Sequence, residues 1–154
     1  MNDIDAIREI EAIKQLKARY CRFLDAKDWA AWRSLFTDGF VSDTIESGGR
    51  LITGADEFVA FVRKMLGAPG RTTVHHIHAP EIVLDSPTAA HGIWAMEDIV
   101  RFVPGLNLRG YGHYDETYEK IGAAWQIKSS KLTRLRMDLV TPFFSVKLPA
   151  RRRQ

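Results

Sequence analysis

The chain has 154 residues, of which 45% are hydrophobic and 27% charged, with 11 glycines and 6 prolines. That is the size of one domain with one substantial core, and the composition excludes a disordered chain, a collagen-like repeat and a disulfide scaffold. The net charge is only +3, and the excess sits at the C-terminus in Lys147, Arg151, Arg152 and Arg153.

Residues 1–147 are expected to form a single domain, and residues 148–154 a basic tail. No base-stacking aromatics interleave with that tail, so it reads as a solvated terminus and not as a nucleic-acid arm. The lone cysteine, Cys21, cannot make an intramolecular disulfide, which favours a reducing compartment. Met1-Asn2-Asp3-Ile4-Asp5 lacks a basic region followed by an apolar run, and no stretch approaches the ~18 apolar residues of a membrane span. A soluble cytoplasmic protein, with neither nucleic acid nor membrane as a partner, is the expectation.

Ile7, Ile10, Ile13, Leu16, Tyr20, Phe23 and Leu24 recur every three or four residues, which predicts an amphipathic helix over 3–26. Asp28 reads as the N-cap of a short second helix with Trp29, Trp32, Leu35 and Phe36 inward, ended by an Asp38-Gly39 turn. Phe40 to Ile45 reads as a strand and Ser47 to Arg50 as a turn. Thr53 reads as the cap of a third helix carrying Phe58, Phe61, Val62 and Met65, stopped at Gly67-Ala68-Pro69-Gly70. The period then becomes that of strands: 72–78, 81–84, 91–102, 109–120 and 125–137, with Asp85-Ser86-Pro87, Pro104-Gly105 and Gly122 as breaks.

Helices followed by an antiparallel meander predict an α+β domain, a cone-shaped barrel with the N-terminal helices packed on a strongly curved, mostly antiparallel sheet. Such a cone encloses a pocket suited to a small, mostly apolar ligand held by a few polar groups.

The polar residues aimed into that cone are the candidate site. Along the first long strand Thr73, His75 and Ile77 share one face, and Val74, His76 and His78 the other. His76 and His78 have the spacing of a metal pair, but no third ligand and no HExxH or CxxC pattern accompanies them, so no metal is expected. Adjacent strand histidines are also compatible with plain hydrogen-bonded surface residues. Asp25 falls at the end of the first helix, where an anion is unfavourable by a few tenths of a kcal/mol to ~1. It either starts a turn into Lys27-Asp28 or meets a cationic partner. A histidine on a facing strand would have its imidazolium stabilised, its tautomer fixed and its pKa raised towards the range of a general base.

The run Tyr20-Cys21-Arg22-Phe23-Leu24-Asp25-Ala26-Lys27-Asp28-Trp29, with Leu35-Phe36-Thr37-Asp38, resembles the opening of the SnoaL-like branch of the nuclear-transport-factor-2-like superfamily. Gly112-His113-Tyr114-Asp115-Glu116-Thr117-Tyr118-Glu119-Lys120 followed by Trp125-Gln126-Ile127 resembles the family's last two long strands. The likeness spans roughly residues 5 to 145. Scytalone dehydratases and hexachlorocyclohexane dehydrochlorinases, on the same fold, use an Asp–His dyad for elimination. The resemblance carries that Asp onto Asp25 and the His onto His75, behind Thr73-Val74. Glu97 aligns where the scytalone dehydratases hold a second catalytic histidine; it either replaces that histidine as an acid or stands exposed on its strand.

What the resemblance implies is a cofactor-independent lyase or isomerase. His75 would be the base, Asp25 would orient it, and the substrate would be a small apolar, cyclic or aromatic molecule. Tyr20, Trp94, Met96, Glu97, Tyr111 and His113 are the expected substrate-binding residues. A non-catalytic ligand-binding domain and a small structural subunit of a ring-hydroxylating oxygenase are the alternatives on the same fold. Self-association into a dimer or trimer is expected, because the outer face of the sheet would bear residues such as Trp94 or Ile93.

Overall fold

The computed structural model describes residues 2–148, so the expected basic tail, apart from Leu148, lies outside the described residues. Helix α1 (Asp3–Ala26) starts at Asn2, whose side chain accepts from the Asp5 N–H at 2.8 Å, and carries Asp3 and Asp5 in its first turn. Both choices suit the positive end of the helix dipole. Its buried face comprises Ile13, Leu16, Lys17, Tyr20, Cys21 and Leu24. Ile7, expected on that face, is 65% exposed, because at about 3.6 residues per turn it lies roughly half a turn away from Leu16.

Asp28 caps α2 (Trp29–Arg33) by accepting from the Ala31 N–H. This helix is shorter than its apolar pattern suggests. Leu35 and Phe36 leave it, and Phe36 opens β1 (Phe36–Asp43), which runs straight through the expected Asp38-Gly39 turn. The glycine serves an irregularity in the strand instead: the pairing of β1 with β6 shifts register between Phe36 and Val41. A single 3-10 turn (Ile45–Ser47) and a short strand β2 (Leu51–Thr53) follow. Thr53 ends β2, and α3 (Ala55–Leu66) starts at Gly54, without a side-chain cap.

Four long strands then form a meander: β3 (Thr73–Ser86), β4 (Ala89–Val103), β5 (Leu106–Ile121) and β6 (Ala124–Val140), and β7 (Ser145–Leu148) adds to β6. The stretches expected as separate strands at 72–78 and 81–84 are one strand with a kink. Register shifts between His78 and Glu81, where Ala79 has φ 44° and Pro80 has no N–H to give to the ladder.

The sheet order is β2-β1-β6-β5-β4-β3, antiparallel except for the parallel pair β1–β6. The sheet curves around the helices without closing, because β2 and β3 remain edges; the predicted cone is therefore an open one. An aromatic cluster joins α1, α2, β1 and α3. Trp32 lies 5.1 Å from Phe36, Phe36 lies 4.5 Å from Phe40, and Phe40 lies 5.0 Å from Phe58, measured between ring centroids. These rings are nearly fully buried and fix α3 over the inner face of the sheet.

Candidate functional site

Helix α1 ends because Lys27 adopts the left-handed conformation (φ 61°), with its N–H turned back to the carbonyls of Leu24 and Phe23 and that of Asp28 to Phe23. This brings Asp25 onto β3. Its carboxylate collects the donors that a helix C-terminus cannot supply. His75 gives its backbone N–H to Oδ2 at 2.8 Å, and Thr73 gives its hydroxyl to Oδ1 at 2.9 Å. His75 Nδ1 lies 2.6 Å from the same Oδ1. Burial pushes the Asp25 carboxyl up, but the hydrogen bonds and charge of His75, with help from Thr73, outweigh it and hold the group below its ordinary value. A carboxylate accepts only, so Nδ1 carries a hydrogen, and in the neutral ring the lone pair is on Nε2. Among the described residues Nε2 has no hydrogen-bond partner.

His75 forms part of the wall of a cavity of about 200 Å³ between α1, α3 and the inner face of the sheet. That is below the ~300 Å³ typical of the smaller ligand sites and fits a compact molecule. Its apolar wall comes from Leu24, Phe58, Phe61, Val62, Met65, Val100, Phe102 and Leu108. Its polar members are Tyr20, Ser42, Thr44, Ser47, Asp98, Tyr114, Ser130 and Arg134, besides His75. Burial pushes the phenols of Tyr20 and Tyr114 up, so both remain neutral hydroxyls across the physiological range.

Of the residues expected to bind substrate, only Tyr20 lines this cavity. Trp94 and Met96 do point inward on β4, but deeper in the core. Trp94 Nε1 donates to Tyr118 Oη at 2.7 Å, and Met96 Sδ accepts from Arg134 Nη1 at 3.4 Å. Glu97 faces the other side of β4, and Tyr111 and His113 the outer side of β5. The inner face of β5 belongs to Gly110, Gly112, Tyr114, Glu116 and Tyr118. A one-residue error of parity moves every side chain of a strand to the wrong face. Likewise Trp94 is 3% exposed, not an outer-face residue, whereas Ile93 is 41% exposed on that face. The residue beside His75 on β4 is Asp98; Glu97 pairs with His76. His76 and His78 are exposed on the outer side, and no cluster of three potential metal ligands exists among the described residues.

Sequence reasoning missed a pair of buried ionic contacts. Arg134 Nη2 reaches Asp98 Oδ2 at 2.6 Å, and Arg134 Nε holds Ser47 Oγ at 2.8 Å, which ties the 3-10 turn to β6. Gly110 makes room for this pair, since a Cβ there would lie 2.2 Å from Arg134 Nη1 and 2.3 Å from Asp98 Oδ1. Lys17 Nζ meets Glu116 Oε1 at 2.5 Å with both side chains fully buried. A legible signal existed for Lys17: it lies four residues from Ile13, on the apolar face of α1.

A curved sheet and helices that enclose a small, largely apolar cavity, with His75 in its wall and Asp25 behind that histidine, define a domain built to surround a small molecule. The chain matches the SnoaL-like domain family over residues 5–131, and it belongs to that family, within the nuclear-transport-factor-2-like superfamily. It is 27% identical over 141 residues to the probable cyclase FGR4 of Gibberella zeae, an alignment covering 84% of this chain and 93% of that protein. Among solved structures, a candidate scytalone dehydratase from Novosphingobium aromaticivorans superposes with a TM-score of 0.79 at 21% identity, over 98% of this chain and 94% of that one. A hexachlorocyclohexane dehydrochlorinase from Novosphingobium barchaimii superposes with a TM-score of 0.77 at 15% identity, over 96% and 94%. At these identities the structures share the fold. No helix of the described residues is long and apolar enough to cross a membrane.

Proposed function

We propose that this protein is a cofactor-independent lyase or isomerase in which His75 is the general base and Asp25 its orienting partner. The observation that carries this reading is the 2.6 Å contact between Asp25 Oδ1 and His75 Nδ1 at the wall of an apolar cavity. His75 Nε2 takes a proton from a carbon next to a carbonyl or a leaving group. The electron pair left on carbon forms the new double bond, and either the leaving group departs or the proton returns at another carbon. Asp25 stabilises the imidazolium formed on the way. Base catalysis of this kind contributes ~10²–10⁴-fold.

The substrate is a small, neutral, largely apolar molecule, cyclic or aromatic in keeping with the apolar wall and its phenols. The related cyclase, dehydratase and dehydrochlorinase support this choice of chemistry. The outer sheet face, with Val74, Ile93 and Leu135 at 43%, 41% and 59% exposure, supports a homodimer or homotrimer. The single buried thiol of Cys21 supports a cytoplasmic location.

The test is a panel of cyclic ketones, halides and β-hydroxy ketones offered to wild-type protein, His75→Gln and Asp25→Asn. Turnover in the wild type should fall by at least 10²-fold in His75→Gln, with binding retained. A substrate turned over equally well by all three would overturn the mechanism, and tight binding without turnover by any of them would assign the domain to ligand binding.

A further inference from the structure

The dyad does not end at Asp25. Lys27 Nζ donates to Thr73 Oγ1 at 2.6 Å, and the Thr73 hydroxyl in turn donates to Asp25 Oδ1 at 2.9 Å, the same oxygen that faces His75 Nδ1. The four side chains form one continuous line, Lys27 to Thr73 to Asp25 to His75. Its first member stands where a lysine is costly. Lys27 occupies the left-handed region at φ 61°, which favours glycine or asparagine, and its side chain is half-buried beside Trp29, with Nζ 5.9 Å from that ring.

We propose that Lys27, acting through Thr73, is a positioning residue for the base: its ammonium fixes the Asp25 oxygen that holds His75 and offsets part of the Asp25 charge, limiting how firmly the dyad retains a proton. This rests on the dyad reading above and adds to it a control on the pH at which the base is free.

The sign follows from the charges around His75. Among the described residues Asp25, from α1, is the one anion in hydrogen-bond contact with it. On β4 Asp98 lies beside it in register but is neutralised by Arg134 of β6 at 2.6 Å. Tyr20 of α1 and Tyr114 of β5 share the cavity as neutral phenols, and α3 presents only apolar side chains to it. Cys21, on α1 near Asp25, has its thiol pushed up to about 11 by burial and stays neutral. Lys27 is therefore the cation that balances Asp25. Burial pushes the Lys27 ammonium down, and the Asp25 charge offsets only part of that. Without Lys27 the imidazolium faces an uncompensated carboxylate and becomes easier to form. Without Asp25 it becomes harder to form.

The test is an NMR titration of the His75 ring, which needs no substrate. Lys27→Gly removes the charge and also relieves the backbone, so folding stability should rise or stay level, while the ring's midpoint moves up by roughly half a unit to one unit. Lys27→Asn, which also tolerates left-handed backbone, serves if the glycine variant is too mobile. Lys27→Arg should return the midpoint close to that of the wild type, and Asp25→Asn should move it down. If Asp25→Asn moves the midpoint and Lys27→Gly does not, this inference is overturned while the dyad stands. If neither does, both fall. A midpoint that rises in Lys27→Arg as much as in Lys27→Gly would show that the position matters and the charge does not, which also overturns it.

Discussion

Lys17→Met removes a buried charge that the fold has surrounded with partners. Lys17 and Glu116 are both fully buried, 2.5 Å apart, and the ammonium also lies 4.0 Å and 3.9 Å from the ring centroids of Tyr20 and Tyr114. Glu116 further accepts from Ser130 Oγ at 2.9 Å and from Tyr118 Oη at 2.7 Å. Methionine fills the volume of the lysine stem but leaves Glu116 as an anion with hydrogen bonds and no counter-charge. Breaking a buried pair in this way costs about 3–5 kcal/mol. At about 2–4 °C per kcal/mol for a domain of this size, Tm should fall by roughly 6–20 °C. Glu116 escapes the penalty by taking up a proton, so the loss should be larger at pH 8 than at pH 5. The double variant Lys17→Met/Glu116→Gln should recover much of it, since no charge then remains to be paired. The assay is chemical denaturation of the wild type and the two variants at both pH values. A Lys17→Met protein within 1 kcal/mol of the wild type, or a double variant no more stable than the single one, would refute the reasoning.

Cys21, with its thiol pushed up to about 11 by burial, should resist a disulfide reagent at pH 8 in the folded protein and react at once on unfolding. Gly110→Ala should destabilise by at least ~2 kcal/mol in denaturant titrations, because its Cβ would stand 2.2 Å from Arg134 Nη1 and force the buried Asp98–Arg134 pair apart. The Glu9 carboxyl is held below its ordinary value by hydrogen bonds from Lys120 and then Trp125. The stability it contributes is complete above the unfolded carboxylate range near 4 and is lost as pH falls through its lower folded-state value, so Glu9→Gln should flatten the acid limb of a Tm-against-pH curve.

The parts of the fold visible in the sequence were those with a strong local period. The spacing Ile13, Leu16, Tyr20, Leu24 gives α1, and the long alternating stretches at 91–102, 109–120 and 125–137 give β4, β5 and β6. All repeat over enough residues to outweigh local exceptions. The short elements were not visible for the opposite reason. β2 and β7 are three and four residues long, and β1 contains the Asp38-Gly39 pair that by itself signals a turn; pairing with β6 overrides that propensity. At the site, Asp25 stood out as an anion at a helix C-terminus, whereas the family resemblance, and not the strand period, singled out His75 from His76 and His78. Tyr111 and His113, expected at the substrate, face outward on β5, because the parity of that strand puts Gly110 and Gly112 on its inner face. The glycines face inward because Arg134 needs the space above Gly110 and because Thr133 closely approaches Gly112. Such a contact is long-range, between β5 and its neighbours, and no local pattern encodes it.

The most direct test of the proposed base is the protonation state of the His75 ring itself, read by nitrogen-15 NMR with the wild-type protein and Asp25→Asn side by side. A dyad built on the 2.6 Å contact to Asp25 requires, in the neutral ring, hydrogen on Nδ1 and a bare Nε2, with that tautomer lost or mixed once the Asp25 anion is removed. A neutral wild-type ring protonated on Nε2, or a tautomer unchanged in Asp25→Asn, would contradict the assignment of His75 as a base oriented by Asp25.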